Sequence, residues 1–432
     1  MQRNRFLGDL LSQLFDRRSL MRGKDDKRDI YELCAALLSA EGEVSGLRLA
    51  STILARYAAL NDEEKTLFFV FLNTELDIDA QAVAALAASY ANAPTPALFN
   101  DLCLASEPTR QELLRRLNQP VGATAELVAM RVDLLTRLKD NPDLARTNRD
   151  FVHLLRSWFN RGFLVLKQIN WDTPARILDK IVAYEAVHQI NDWDDLRRRL
   201  YPPDRRCFAF FHPAMPDEPL IFVEVALTDA IPGSIDAVLS DHRTPLEADQ
   251  AKTAVFYSIS NCQKGLTGIS FGNLLIKQVV AELSLECPQI DAYVTLSPIP
   301  GLNRWLATQT EDAANGEATQ AVLDQTAHPD TVRALAARYL LDAKRDDGLP
   351  LDPVARFHLG NGAEIFDVHA AADTSANGVA QSSGAMVNYL YDLTQTERNH
   401  EGFVMTKAVA ASRAMKALSS ATVGTATKEI TT

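Results

Sequence analysis

The sequence predicts an α + α/β protein, with an all-helical first part followed by an α/β domain. Three observations predict it. Through about residue 155 the apolar residues recur at helical spacing, with no alternating strand pattern. From Thr253 to Leu296 the chain reads as strand, glycine loop, amphipathic helix and strand, a βαβ unit whose parallel pairing needs such a crossover. A length of 432 residues exceeds what one compact core usually reaches, so two domains, 1–155 and 156–432, are expected.

In the first part, Phe6, Leu7, Leu10, Leu11, Leu14 and Phe15 have helical spacing. So do Leu49, Ile53, Leu54 and Tyr57, and then Leu67, Phe68, Phe71 and Leu72. Asn61-Asp-Glu-Glu64 offers a cap and acidic residues at a helix start, where the dipole favours them. An alanine-rich helix over 81–90 ends at Asn92-Ala-Pro-Thr-Pro96, and further helices are expected over 96–104, 109–117 and 124–139. This part shows no catalytic constellation, and packing and assembly are its expected roles.

Composition changes after Trp158. A strand is expected over 163–171 and helices over 174–184 and 193–200. Arg206–His212 and Leu220–Leu227 read as two strands of a hairpin turned by Pro216-Asp-Glu-Pro219. Thr253–Ser260, β-branched and aromatic, has the composition of a buried strand. Leu275, Val279 and Leu283, flanked by Ile276 and Val280, predict a helix over 271–285. A second strand over 291–296 stops at Ser297-Pro298. Beyond it, helices are expected over 303–306, 329–341, 384–393 and 403–418, and a strand over 364–368.

Composition also limits function. The hydrophobic fraction of 47% and charged fraction of 23% are those of an ordinary globular protein. Lys and Arg number 44 against 56 Asp and Glu, a net charge of −12 that speaks against a nucleic-acid partner. The five cysteines are scattered without a CxxC pair, which fits free thiols in a reducing cytosol, and no His/Cys/Asp cluster has metal spacing. No run is long enough for a membrane span, and Met1–Leu7 lacks a signal peptide's apolar stretch, so a cytoplasmic protein is expected.

The βαβ unit carries two features of chemical interest. The loop Gln263-Lys-Gly-Leu-Thr-Gly268, with Gly272, brings backbone N–H groups to a helix N-terminus, a setting suited to pyrophosphate. Its spacing matches neither a Walker loop nor a dinucleotide fingerprint, and glycines here also serve simple βα turns. Ser297 stands at the carboxyl end of a strand, where open α/β sheets bind ligands. It lacks a G-x-S-x-G elbow, so it reads either as a reactive serine or as one bonded to its own turn. His358, in Arg356-Phe-His-Leu-Gly-Asn-Gly-Ala363, reads either as a structural histidine or as a partner for Ser297.

These segments resemble the malonyl-CoA decarboxylase family. The resemblance rests on Leu296-Ser-Pro-Ile-Pro-Gly301, the Asn-Gly-Ala that follows Phe357-His358, Ser157-Trp-Phe159 and Gly162-Phe-Leu164. Glu185-Ala-Val-His188, Asp204-Arg-Arg-Cys207, Val225-Ala-Leu-Thr228, Phe256-Tyr-Ser-Ile-Ser260 and Met386-Val-Asn-Tyr389 add to it. It is dense over about 150–418 and looser before that. The resemblance implies a helical domain followed by a catalytic, acyl-CoA-binding domain like the acetyl-CoA-dependent N-acetyltransferase fold. It implies conversion of malonyl-CoA to acetyl-CoA and CO2, with Ser297 and His358 as the catalytic pair and Tyr391 as an active-site tyrosine. The CoA-contacting segment falls on Thr267, Gly268, Ile269, Ser270, Phe271, Gly272 and Asn273. Ser270 stands where animal relatives carry a glutamate, and the chain ends Glu429-Ile-Thr-Thr432 without a peroxisomal tripeptide, as a bacterial cytoplasmic member would.

The chemistry so implied needs no metal or cofactor, because the CoA thioester of the substrate is itself the electron sink. Loss of CO2 leaves an enolate, so the site must hold an oxyanion and supply a proton. A homo-oligomer, dimer or tetramer, is expected. A CoA-dependent acyltransferase on the same fold and a non-catalytic acyl-CoA-binding protein are the alternative readings.

Overall fold

The computed structural model describes residues 26–40, 42–269, 275–310 and 316–421. Among these, two compact units are formed. The first gathers the chain up to Leu164 with His212–Pro216 and Gln263–Ser270, and the second gathers the rest.

The first unit is built of α1 (Ile30–Ser39), α2 (Glu43–Ala59), α3 (Asp62–Thr74), α4 (Ala80–Asn92), α5 (Pro96–Ala105), α6 (Thr109–Leu117), α7 (Ala123–Arg137) and α8 (Ala145–Trp158). The capped start expected at Asn61 is a full capping box: Asn61 accepts from the Glu64 backbone N–H while the Glu64 carboxylate accepts from that of Asn61. The apolar stripes meet in a core that includes Leu33, Ile53, Phe68, Leu113, Leu127 and Leu155. Arg110 is buried among them, its charge balanced by Asp150 at 2.5 Å and Asp77 at 3.0 Å. The expected helix around Phe6–Phe15 lies outside the described residues.

The second unit is a sheet of eight strands with helices around it. In chain order it contains β1 (Val165–Ile169), α9 (Ala175–Tyr184), α10 (Trp193–Leu200), β2 (Arg205–His212), β3 (Met215–Thr228), α11 (Ile235–Leu239), β4 (Thr253–Asn261), α12 (Leu275–Glu286), β5 (Ala292–Thr295) and β6 (Ser297–Pro298). It continues with α13 (Leu302–Ala307), α14 (Gly316–Leu323), α15 (Pro329–Asp342), α16 (Pro353–Gly360), β7 (Glu364–His369), α17 (Ala376–Ser382), β8 (Met386–Leu390), α18 (Thr396–Thr406) and α19 (Arg413–Ser419). The strands run in the order β1-β2-β3-β4-β5-β8-β6, with β7 also on β8. The chain thus has the expected class, a helical part followed by an α/β domain.

The parallel pair predicted from the βαβ unit is present: β4 and β5 run side by side from Thr253↔Ala292 to Phe256↔Thr295. The other recorded pairings of the sheet are antiparallel.

Three expectations are corrected. The hairpin of β2 and β3 turns at Pro213-Ala214, not at Pro216–Pro219, because the His212 ring accepts from the Ala214 N–H and closes a tighter turn. The segment 384–393 is not a helix: Ser383 and Gly384 turn the chain with positive φ, and Met386–Leu390 is a strand. A strand buried on both faces is an apolar run, which periodicity cannot separate from a helix. The helix expected over 403–418 is two helices, broken where Lys407 adopts φ 58° and the next residues pair with Ile365 through Ala410 and Ser412. His358 lies on the helix Pro353–Gly360.

Candidate active site

Ser297 and His358 are brought together. After Phe256↔Thr295 the paired strands part. The Leu296 N–H still donates to the Phe256 carbonyl at 3.0 Å, but the chain then swings to β8, where Ser297 pairs with Val387. β4 meanwhile continues to Asn261. Between them opens a cavity of about 250 Å³. Its lining is mostly apolar, including Phe256, Ile259, Pro298, Val354 and Phe357, and Ser297 and His358 both face it.

His358 is carried on the second turn of α16. Pro353 begins that helix with a preset φ, and the Asp352 carboxylate caps it by accepting the Ala355 N–H at 2.8 Å. His358 Nε2 lies 3.3 Å from Ser297 Oγ, and Nδ1 lies 2.8 Å from the Tyr391 hydroxyl. The imidazole stacks on the Tyr389 ring at 4.4 Å and 24°. Tyr391 follows β8, its N–H donating to the Tyr293 carbonyl at 2.8 Å. All three residues named for catalysis thus form one line of hydrogen-bonding groups: Tyr391, His358, Ser297.

Thr295, which the sequence reading passed over, extends that line. Its hydroxyl oxygen accepts from Ser297 Oγ at 2.9 Å and from the Tyr389 N–H at 3.1 Å, while its carbonyl accepts from Asn388 Nδ2 at 2.8 Å. Glu185 was missed as well. Its carboxylate accepts from the N–H groups of Val187 and His188 and from the Ser258 hydroxyl, each at 2.8 Å, which anchors Val187 at the cavity wall. The motif segments Glu185–His188 and Met386–Tyr389 contain Glu185 itself and the partners of Thr295, but nothing in their spacing says which side chain turns inward.

Burial sets the protonation of the site. His358 is 2% exposed, and desolvation pushes its pKa down to about 3, so the free imidazole is neutral near pH 7. The Tyr391 phenol is pushed well above its ordinary value by the same cause. With the Ser297 hydroxyl proton given to Thr295, the tautomer that satisfies the line has Nε2–H donating to Ser297 Oγ and Nδ1 accepting from the Tyr391 hydroxyl.

The described part of the loop expected to hold pyrophosphate, 263–269, belongs to the first unit. Of its predicted residues, Thr267, Gly268 and Ile269 are described, and Ser270, Phe271, Gly272 and Asn273 lie outside the described residues. Arg131 of α7 donates to the carbonyls of Gly265 at 2.6 Å and Thr267 at 2.9 Å, and Arg156 of α8 donates to that of Gly268 at 3.4 Å. The N–H groups of Leu266, Thr267 and Ile269 are spent on local turns. Gly268, at φ 79°, occupies the left-handed region that favours glycine.

Among the described residues no three His, Cys, Asp or Glu side chains gather as metal ligands do, and no helix is long and apolar enough to cross a membrane.

The profile of the malonyl-CoA decarboxylase C-terminal domain matches residues 162–429, and that of the N-terminal domain matches 76–159. The crystal structure of malonyl-CoA decarboxylase from Rhodopseudomonas palustris is 47% identical, with a TM-score of 0.85, covering 90% of this chain and 98% of that one. The Agrobacterium vitis structure is also 47% identical, with a TM-score of 0.86 over 91% of this chain and 100% of that one. Mitochondrial malonyl-CoA decarboxylase of the goose Anser anser anser is 37% identical, covering 71% of this chain and 68% of that protein. The chain belongs to the malonyl-CoA decarboxylase family, a family of carboxy-lyases.

Proposed function

We propose that this chain converts malonyl-CoA to acetyl-CoA and CO2, with Ser297, His358 and Tyr391 as its working side chains. The observation that carries the reading is the hydrogen-bonded line from Tyr391 through His358 to Ser297 at an apolar cavity, in a member of this family. The malonyl carboxylate is deprotonated near pH 7, and Ser297 orients it against an apolar wall, from which it leaves more readily as neutral CO2 than it stays as an anion. Its C–C bond breaks, and the electron pair passes into the thioester, giving an enolate. The anion's charge in a buried cavity raises the proton affinity of His358, so a proton is taken up with the substrate. Nε2–H then protonates the α-carbon, and Tyr391 steadies the ring from Nδ1. No acyl-enzyme is required, and Ser297 lacks the strained elbow of a serine nucleophile.

Mass spectrometry of malonyl-CoA incubated with the pure protein, with no acceptor added, tests this. Conversion to acetyl-CoA is expected; unchanged substrate sinks the reading in favour of an acyltransferase or a binding protein. Turnover is expected to survive exhaustive chelation, since the thioester carries the electron pair; lost activity that zinc or magnesium restores contradicts this chemistry. Light scattering of the same preparation reads the self-association expected of the chain.

CoA is expected to bind along the segment from Thr267 to Asn273. In Gly268→Val the added Cβ meets nothing within 4 Å among the described residues, so the fold should persist, but φ 79° strains the loop by about 1–2 kcal/mol. Calorimetric titration should show CoA binding weakened; wild-type affinity in the folded variant would remove the loop from the site.

A further inference from the structure

Ser297 and His358 come from elements 61 residues apart and meet through one 3.3 Å contact. Such a contact needs something to fix the two elements against each other, since a displacement of about 1 Å at a reacting group can cost on the order of a hundredfold in rate.

We infer that Tyr339 and Asp352 form a buried strut between the turn that follows Ser297 and the helix that carries His358, and that both are positioning residues. The inference rests on the function proposed above. Tyr339 projects from α15 and is 2% exposed; Asp352 is fully buried. One Asp352 oxygen caps α16 through the Ala355 N–H, and the other faces the Tyr339 hydroxyl at 3.5 Å. The same hydroxyl fills the space beside Gly301, the last residue of the Ser297-Pro-Ile-Pro-Gly301 turn. A Cβ at Gly301 would lie 2.0 Å from it. The glycine is therefore required by the tyrosine. Trp305 of α13 packs its ring 5.4 Å from that of Tyr339. One oxygen atom thus touches the end of the serine turn and the cap of the histidine helix.

The geometry asks Asp352 for an acceptor and a hydrogen-bonding partner, not for charge. Asparagine supplies both, with its carbonyl toward Ala355 N–H and its amide toward the Tyr339 oxygen. Alanine supplies neither.

The test compares Asp352→Asn, Asp352→Ala and Tyr339→Phe by kcat, KM and the pH titration of the His358 imidazole followed by NMR. Asp352→Ala should lower kcat by about ten- to a hundredfold with KM little changed. Its His358 should also titrate upward from about 3 as the loosened helix admits water. Asp352→Asn should restore both properties to near wild type, and Tyr339→Phe should fall between. If Asp352→Ala fails to fold, Tyr339→Phe, which removes one oxygen atom, carries the test. Wild-type kcat and an unmoved imidazole titration in folded Tyr339→Phe overturn the strut. So does an Asp352→Asn enzyme as impaired as Asp352→Ala, which would make charge the requirement. A wild-type enzyme inert toward malonyl-CoA defeats the functional reading instead, and the imidazole titration still judges the strut.

Discussion

Replacing His358 with alanine is expected to lower malonyl-CoA turnover by about a hundredfold or more, the usual scale for losing a general acid. Ser297→Ala should also lower turnover while leaving CoA affinity nearly unchanged, because Ser297 faces the apolar cavity and not the loop proposed for CoA. The free-enzyme pKa of about 3 gives the proposal a pH signature. kcat/KM reports the free enzyme, whose His358 is neutral throughout pH 5–8, so this group should impose no inflection there. kcat reports the complex, in which the substrate's charge raises the same pKa. It should therefore fall as pH rises through that higher value, and His358→Ala should lose the fall along with the rate. Stability follows the opposite limb. A histidine buried neutral loses native stability as pH drops from about 6.5 toward 3, because the unfolded chain binds the proton first. Intact-protein mass spectrometry under turnover provides the sharpest check. An acetyl or malonyl adduct on Ser297 would overturn the non-covalent mechanism.

Gly362→Ala is expected to be among the most destabilising single changes in the second unit, by about 2–5 kcal/mol from left-handed strain and overpacking together. Gly362 sits at φ 86° directly after the helix of His358, and a Cβ there would lie 2.0 Å from the Thr396 carbonyl oxygen. Neither cause can relax cheaply, since one is backbone conformation and the other is backbone contact. Thermal melting followed through the sheet should show a clear downward shift. Gly268→Ala has left-handed φ but open space and should lose much less. Equal shifts in the two variants would mean that contact with Thr396 contributes nothing. Activity of surviving Gly362→Ala enzyme should also drop, because Gly362 and Ala363 close the helix by donating their N–H groups to Leu359 and His358.

The sequence by itself determined the division into a helical part and a sheet-bearing part, and most of the local elements. These follow from short-range rules: apolar residues at helical spacing, caps such as Asn61, prolines such as Pro353, and the obligatory crossover between β4 and β5. Strand-end position and local context raised Ser297 and His358 as candidates, and motif resemblance named them a catalytic pair and added Tyr391. Tertiary structure alone decided that these three form one hydrogen-bonded line, because their partners are 61 and 33 residues away. It also decided that Met386–Leu390 is a strand, since only burial between β7 on one side and β5 and β6 on the other distinguishes this apolar run from a helix. The depressed pKa of His358 belongs to the same class of fact. Its cause is desolvation, which depends on what covers a side chain and is absent from the order of residues.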